Sequence, residues 1–303
     1  MARIALKIDV DTDRGTVEGA PRLAGLFERL NVRATFLFSL GPDQTGRAIK
    51  RAFRRGFMGK VRRTSVLKHY GLKTLLYGTL LPGPHIGRRR GALLRGMAGA
   101  GFEVGVHTYN HVKWQDNVAE ASEPWTRREL TLARDQFAEI FARQPLVHGA
   151  AGWQVNRYVP HLEQELGFTY ASDSRGVRPF IPVVGGVEVG VLQMPTTLPT
   201  LDELIGRPDL DGVDPVDHLL SLTGEHPDRD HVYTLHAELE GNTYLVAFER
   251  LLRSWRNRGV ELVDLASYAG TLSLPELPRC EMVAGSVPGR SGLLACQGNC
   301  SLG

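Results

Sequence analysis

Three short stretches of this 303-residue chain carry side chains suited to hydrolytic chemistry. Asp9 and Asp11 lie two residues apart at the end of a predicted first strand, so both carboxylates can reach one site. His107 and His111 follow a later predicted strand, and their i, i+4 spacing brings two imidazoles to one face if the chain makes a helical turn there. His236 ends a further predicted strand. Two His and one Asp form a set that binds a catalytic divalent metal and leaves positions for water.

Each stretch also has an ordinary structural explanation when it is considered alone. Asp-Thr-Asp is typical of turns, and one i, i+4 pair is expected by chance in a chain with ten His. A His at a strand end is often a buried core residue. Their coincidence at three strand ends favours a site, because the carboxyl ends of parallel strands are where α/β barrels place active sites. Imidazole titrates near neutrality, which makes His236 a candidate proton donor to a leaving amine.

The elements that must position these residues alternate between strand and helix. Apolar runs over residues 4–10 and 34–40, joined by a helix over 20–30, predict a β-α-β opening and therefore a parallel sheet. Further strands are predicted over residues 103–107, 146–150, 168–172, 188–194, 232–239 and 260–263. Further helices are predicted over residues 91–100, 127–142, 155–166, 215–223 and 243–258. Seven or eight strands with intervening helices predict an α/β fold.

A basic segment interrupts this alternation. From Gln44 to Phe102 the chain has fourteen Lys or Arg and no Asp or Glu, although the net charge of the whole protein is only +3. Large apolar residues such as Phe53 and Leu67 lie between the basic ones. This pattern predicts a partly helical insert, over about residues 44–90, that lies on an anionic surface. The insert is rich in Leu and Gly-Pro turns and lacks the spaced aromatic residues of a base-stacking platform, so we expect phospholipid rather than nucleic acid.

Composition and cysteine use set the expected location. The chain is 42% hydrophobic and 23% charged, which excludes disordered, collagen-like and disulfide-scaffold classes. It has no apolar run long enough to span a membrane and no export signal at its start, so we expect a cytoplasmic protein. Cys280, Cys296 and Cys300 are an odd set near the end of the chain, which favours a reducing compartment over a disulfide framework. No chemistry is assigned to them.

Three motifs resemble those of the polysaccharide deacetylase family, also called the NodB-homology or carbohydrate esterase family 4 group. They are Ile8-Asp-Val-Asp-Thr12, His107-Thr-Tyr-Asn-His111 and Leu235-His-Ala-Glu238. The resemblance implies a distorted (β/α)7 barrel over residues 1–270, followed by a loop-rich tail over 271–303. It implies metal binding by Asp11, His107 and His111. It also implies Asp9 as the catalytic base, His236 as the general acid and Asp173 as the carboxylate that orients the acid.

Some positions depart from the family pattern or match it less closely. The Arg that many members use beside the base is missing before Ala150-Ala-Gly-Trp153, where Val147 and His148 stand. Arg175 is a candidate replacement because it lies near Asp173 in the sequence. Arg14, Arg175 and Trp153 are candidates for substrate binding, since a guanidinium fork suits phosphate oxygens. Surface salt bridges are the alternative for both Arg. The metal is not distinguished among Zn, Mn, Co, Ni and Fe.

Longer motifs narrow the resemblance to one branch of the family. They are Asp9-Val-Asp-Thr-Asp-Arg-Gly-Thr16, Ser172-Asp-Ser-Arg-Gly176, Pro195-Thr-Thr-Leu-Pro-Thr200 and His236-Ala-Glu-Leu-Glu-Gly241. The branch removes the formyl group from undecaprenyl-phosphate-linked 4-deoxy-4-formamido-L-arabinose. The resemblance therefore implies a lipid-linked sugar substrate, peripheral binding at the cytoplasmic face of the inner membrane, and a role in lipid A modification and polymyxin resistance.

Two other functions remain open at this point. The same residues would serve an enzyme that deacetylates N-acetyl sugars of another glycan or glycolipid. A nucleic-acid-binding protein is the non-enzymatic alternative, and it depends on the basic insert alone. The sequence leaves the oligomeric state undetermined.

Overall fold

The computed structural model describes residues 2–48, 74 and 76–301. Twelve strands lie within these residues: β1 (Arg3–Val10), β2 (Thr35–Ser39), β3 (Glu103–Thr108), β4 (Val147–His148), β5 (Tyr170–Ala171), β6 (Ile181–Val184), β7 (Val187–Glu188), β8 (Leu192–Gln193), β9 (His231–His236), β10 (Glu261–Val263), β11 (Arg279–Gly285) and β12 (Leu294–Ser301). Eight of them form one sheet in the order β10-β1-β2-β3-β4-β5-β8, with β9 paired to β1. All pairs in this sheet are parallel, as the alternation of strands and helices predicted.

The central strand of the sheet is β1. It pairs with β9 over Ile4–Asp9 and with β2 over Lys7–Val10, so Asp9 lies beside His236 in the register. Every residue from Ile4 to Val10 is buried, which explains why this strand is a nearly continuous apolar run. The two polar residues in that run, Lys7 and Asp9, are therefore buried together.

Hydrogen bonds join the two free edges of the sheet into a barrel-like surface. The Thr197 amide donates to the Val232 carbonyl at 3.0 Å. The Thr196 and Thr234 hydroxyls lie 2.7 Å apart. These contacts connect the segment after β8 to β9, and they bring the residues that follow both strands to one rim.

Helices cover the outer face of the sheet. They are α1 (Ala20–Leu30), α2 (Ile86–Gly99), α3 (His111–Asn117), α4 (Glu123–Phe141), α5 (Val159–Glu165), α6 (Leu201–Leu204), α7 (Pro215–Glu225), α8 (Leu245–Asn257) and α9 (Leu265–Ala269). Their apolar faces pack on the strands through a cluster of aromatic rings, in which Phe27 contacts Phe36, Phe102 and Phe248 at centroid distances of 6.0–6.2 Å. None of the helices in the described part of the chain is long and apolar enough to cross a membrane.

Several predicted boundaries shift in the structure. The strand predicted over residues 188–194 is two short strands, β7 and β8, because the chain bends between them at Gly190, whose φ is 78°. The helix predicted from residue 91 begins at Ile86, and its start is capped by the His85 side chain, which accepts from the Arg88 amide. Residues 49–73 and 75, which are more than half of the predicted basic insert over about residues 44–90, lie outside the described residues.

The C-terminal tail corrects the sequence prediction. β11 and β12 form an antiparallel pair, and β11 also pairs with β6 in a second sheet of the order β12-β11-β6-β7. Cys280 and Cys300 face each other across this pair and form a disulfide. The predictions of a loop-rich tail and of cysteines outside a disulfide are therefore wrong at these positions. The tail lacks an apolar period because much of the pair is exposed and because its parallel partner β6 is distant in the sequence.

Candidate metal centre and catalytic site

Asp11, His107 and His111 meet at the carboxyl edge of the sheet. The Asp11 carboxylate lies 3.2 Å from Nε2 of His107 and 3.4 Å from Nε2 of His111. All three ligand atoms lie within 4.8 Å of one another. Asp11 follows β1, whereas the histidines end β3 and begin α3. The structure thus brings together the three residues that the sequence indicated as metal ligands.

The donors of this triad fit a divalent cation. Nδ1 of His107 lies 2.7 Å from the Gly149 carbonyl, and donation to that oxygen leaves Nε2 facing Asp11 as an acceptor. Oδ1 of Asp11 is buried and has no hydrogen-bond partner among the described residues. Burial lowers the pKa of His111, which favours the neutral imidazole that ligates metals. Burial alone would raise the pKa of Asp11, but His111 and His107 hold it well below its usual range.

The loop after β1 is held by a carboxylate from the loop after β9. Oε1 of Glu238 accepts from the backbone amides of Asp11 and Thr12 at 3.1 and 2.9 Å and from the Thr12 hydroxyl at 2.8 Å. A Cβ on Gly15 would lie 1.9 Å from the same oxygen, so glycine is required there. Burial and the charge of Asp11 raise the pKa of Glu238 to about 8. Sequence reasoning missed this role, although the His-Ala-Glu motif contains the residue.

Asp9 lies beside the triad and pairs with a buried lysine. Its Oδ1 is 3.7 Å from Nδ1 of His107, and its Oδ2 is 3.3 Å from Nζ of Lys7. The Lys7 side chain is fully buried and donates to the Ser172 carbonyl at 3.0 Å. Oδ1 of Asp9 is buried without a hydrogen-bond partner in the described part of the chain. Lys7 therefore supplies the cation beside Asp9 that the missing family Arg left unassigned, and Arg175 does not.

His236 ends β9 and lies beside Asp9 at the rim, on the neighbouring strand. Its backbone amide donates to Glu240 at 2.9 Å, which fixes the loop after the strand. Its Nδ1 lies 3.6 Å from Oδ1 of Asp202, the residue at the second position of α6. Burial opposes protonation of the ring, but the carboxylates of Asp202 and Asp11 raise the pKa of His236 above its usual value. This environment suits a residue that must carry a proton at neutral pH.

Asp173 does not occupy the position that the sequence predicted for it. Its Oδ1 lies 3.2 Å from Nδ1 of His148 and accepts from the Ala150 amide at 2.6 Å, whereas Asp202 is the carboxylate beside His236. His148 also contacts Glu163 at 2.5 Å, and all three side chains are fully buried. Burial opposes protonation of His148, but Asp173 and Glu163 raise its pKa to about 10. The group is thus a buried ion cluster beneath the rim.

The sequence around this site matches a known protein family. The family profile described as polysaccharide deacetylase matches residues 8–171, which is more than half of the chain. The protein belongs to the polysaccharide deacetylase family. The matched segment contains Asp9, Asp11 and both triad histidines, and it ends before His236 and Asp202.

Curated relatives align with almost the whole of this chain. A protein of Shewanella sediminis named probable 4-deoxy-4-formamido-L-arabinose-phosphoundecaprenol deformylase is 33% identical, over 98% of this chain and 95% of its own. A protein of Wigglesworthia glossinidia brevipalpis with the same name is 30% identical, over 93% and 98%. Among solved structures, a putative polysaccharide deacetylase from Mycobacterium smegmatis matches with a TM-score of 0.63 at 18% identity, covering 94% of this chain and 95% of that one. That likeness confirms the fold.

Of the three candidate substrate residues, Arg14 lies apart, whereas the guanidinium of Arg175 lies 4.9 Å from the centroid of the Trp153 ring. Arg14 is half-buried and pairs with Glu18 at 3.1 Å. Arg175 is buried, bonds to Glu203 and donates to the Leu198 carbonyl at 3.0 Å. Trp153 is also buried.

Trp153 forms part of the floor beside the acid. Its φ of 52° is rare for a bulky residue, and backbone strain of this kind is typical of functional sites. Its ring meets the His236 ring edge-on at 6.3 Å, and its Nε1 donates to the Thr196 hydroxyl at 3.0 Å. Substrate contact by Arg14, Trp153 and Arg175 stays a prediction.

Proposed function

We propose that this protein is a metal-dependent deformylase of undecaprenyl-phosphate-linked 4-deoxy-4-formamido-L-arabinose. It hydrolyses the formamide to formate and a 4-amino sugar that stays linked to the lipid. The observation that carries the proposal is the match to two probable deformylases over 98% and 93% of the chain, on a fold that brings Asp9, the triad and His236 to one rim. The amine becomes a cation at neutral pH. Its transfer to lipid A reduces negative charge and thereby the binding of polymyxin.

The triad and Asp9 prepare the attacking water. Asp11, His107 and His111 would hold the divalent ion, whose chemistry there would be to polarise the formyl oxygen and to lower the pKa of water. Asp9 lies next to the triad and outside it, so its carboxylate accepts the proton of the water that attacks the formyl carbon. Lys7 keeps that carboxylate in place through its contact at 3.3 Å. The carbon–oxygen bond forms as this proton moves to Asp9.

His236, on the strand next to Asp9, completes the reaction. Burial disfavours the protonated imidazole, but Asp202 raises its pKa above the usual value and so favours the form that can donate a proton. Donation of that proton to the sugar nitrogen allows the carbon–nitrogen bond to break, and formate leaves. Because Nδ1 of His236 is buried beside Asp202, Nε2 is the nitrogen that serves the substrate.

The insert is the proposed membrane contact, and its described ends lie next to the metal centre. The Asp43 amide donates to the Pro84 carbonyl at 2.9 Å, and His85 contacts the hydroxyl of Tyr109, which lies between the two triad histidines. Leu80 is 79% exposed and Arg88 is exposed at the start of α2. Exposed apolar and basic side chains together suit an anionic leaflet, so the proposed location is the cytoplasmic face of the inner membrane.

A direct assay tests the proposed reaction. Metal-loaded protein is incubated with the formamido-sugar lipid, and formate is measured over time beside a parallel reaction with the N-acetyl analogue. Formate release with little acetate release is the expected result. Preferential release of acetate would instead support an N-acetyl-sugar deacetylase.

A further inference from the structure

We propose that Arg290, in the turn between β11 and β12, is a positioning residue that holds Asp202 against the general acid His236. The C-terminal strand pair would then be part of the active site. This inference rests on the proposed hydrolytic function, because it takes His236 as the acid. It concerns a residue more than one hundred positions beyond the segment that the family profile matches.

The guanidinium of Arg290 binds two successive carboxylates of α6. Its Nη2 lies 3.0 Å from Oδ2 and 3.2 Å from Oδ1 of Asp202, and its Nε donates to Glu203 at 2.8 Å. The side chain of Arg290 is 21% exposed, so these contacts are partly shielded from water. A fork of fixed donors restrains the orientation of a carboxylate more than a single ammonium would.

The orientation of Asp202 decides what His236 can bond. Oδ1 of Asp202 is 3.6 Å from the buried Nδ1 of His236, just beyond hydrogen-bond distance, and Nδ1 has no hydrogen-bond partner in the described part of the chain. The Asp202 side chain is 37% exposed. The Thr200 hydroxyl also donates to Oδ1 of Asp202 at 2.5 Å. Without Arg290 this side-chain hydrogen bond would restrain the carboxylate less than both contacts together, and Asp202 could turn away from the imidazole that it stabilises in the protonated form.

Several contacts fix Arg290 itself over the site. Gly289 has a φ of 84°, and a Cβ there would lie 2.3 Å from the Glu203 carbonyl, so the turn packs directly on α6. The Arg290 guanidinium lies 4.8 Å from the centroid of the Trp153 ring. β12 is joined to the segment after β5, since the Arg175 amide donates to Ala295 at 2.8 Å and the Gln297 amide donates back to Arg175 at 2.7 Å.

The direction in which the pKa of His236 changes distinguishes positioning of Asp202 from simple loss of the positive charge of Arg290. Asp202, Asp11 and Asp9 raise the pKa of the ring, whereas burial and Arg290 lower it. Glu240 faces it through the backbone amide. If Asp202 stayed in place after removal of Arg290, the loss of a nearby positive charge would raise the pKa of His236. If Arg290 holds Asp202, its removal lowers that pKa.

A double-mutant cycle tests the proposal by kinetics. Arg290→Ala should lower kcat about tenfold to a hundredfold with metal content unchanged, because it weakens acid catalysis. In a His236→Ala background the same change should cost less than about twofold, since both changes remove one function. Arg290→Lys, which keeps the charge and the fold, should give an intermediate loss. Arg253→Ala removes an exposed arginine of α8 that pairs with Glu249, and it should leave kcat unchanged.

Histidine NMR of the zinc-loaded protein gives a second readout that needs no substrate. The pKa of His236 should fall in Arg290→Ala and in Asp202→Asn, and it should stay near the wild-type value in Arg253→Ala. Equal losses of kcat with and without His236, or a rise of this pKa in Arg290→Ala, would overturn the proposal. Formate release by the wild type tests the function separately, so failure of one does not imply failure of the other.

Discussion

The two sides of the rim are built in different ways. The metal side takes Asp9, Asp11, His107 and His111 from two strands of one sheet and the residues that follow them. Asp9 and His107 are buried, and Asp11 and His111 are half-buried. The acid side takes His236 from β9 and surrounds it with residues from a short helix and from the C-terminal turn. Its principal carboxylate, Asp202, is partly exposed.

This difference predicts how substitutions on each side affect activity. The metal side is fixed by a buried parallel sheet, so its geometry does not depend on the periphery and loss of a ligand leaves nothing to replace it. The acid side depends on contacts between elements that are distant in the sequence. Substitutions there should therefore lower activity by graded amounts and should not abolish it. Variants on the two sides should therefore differ in size of effect and in metal content.

The largest effect is expected from the base. Asp9→Asn should abolish measurable formate release while metal content stays near that of the wild type, because the carboxylate takes a proton from water without ligating the ion. Metal analysis of the purified variant beside the wild type checks this. Loss of metal together with activity would place Asp9 among the ligands and remove the distinction drawn here.

Removal of a triad ligand should abolish activity by another route. His107→Ala or His111→Ala leaves two of three protein ligands, so metal affinity and turnover should fall together. Equilibrium dialysis against a limiting metal concentration measures the affinity, with Asp9→Asn as the matched control. Full occupancy in either histidine variant would contradict the assignment of the triad.

A smaller, graded effect is expected on the acid side. His236→Ala should lower kcat about a hundredfold to ten-thousandfold with metal retained, the usual range for positioned acid catalysis. The defect should shrink for a substrate with a less basic leaving nitrogen, because that nitrogen needs less protonation. Equal defects on both substrates would indicate a structural role for His236.

The buried Lys7–Asp9 pair provides a stability test of the metal side. Lys7→Met leaves Asp9 buried without its cation, which should reduce the free energy of unfolding of the metal-free protein by about 3 kcal/mol. The loss should be smaller in metal-loaded protein, because an ion held by the triad would place positive charge near Asp9. Lys113→Met breaks another Lys–carboxylate pair, with Glu129, and its cost should not depend on metal. Denaturant melts with and without chelator measure both costs. If the cost of Lys7→Met depends on metal no more than the cost of Lys113→Met does, the interpretation is wrong.

The smallest effect on the chemistry is expected from the insert. Changing five arginines that lie outside the described residues, Arg51, Arg54, Arg55, Arg62 and Arg63, to Glu should release the protein from anionic liposomes and impair turnover of the full-length lipid. Each basic residue near an anionic leaflet contributes about 1 kcal/mol. Hydrolysis of a short-chain soluble analogue should survive. Unchanged liposome binding, or loss of the soluble activity in a folded variant, would place the insert in the catalytic architecture.

The sequence predicted that Asp9, Asp11, His107 and His111 lie together, because the information for this grouping is local. Spacings of two in a strand and four in a turn indicate which side chains share a face, and the parallel α/β fold followed from alternation of apolar runs. The acid side was predicted only in part. Asp202 and Arg290 approach His236 through contacts across the fold, and no short-range pattern distinguishes Asp202 from Asp173. Lys7 was overlooked although its spacing from Asp9 places both on one face of β1.

Metal reconstitution of the chelated wild type tests whether formate release depends on bound metal and on Asp9. Formate release from the formamido-sugar lipid is followed as a divalent metal is titrated back, with Asp9→Asn carried through the same titration. We expect the rate of formate release to rise in proportion to bound metal and to saturate at one ion per chain. Asp9→Asn should release no formate at equal metal occupancy. Formate release that is independent of metal, or equal in Asp9→Asn, would contradict it.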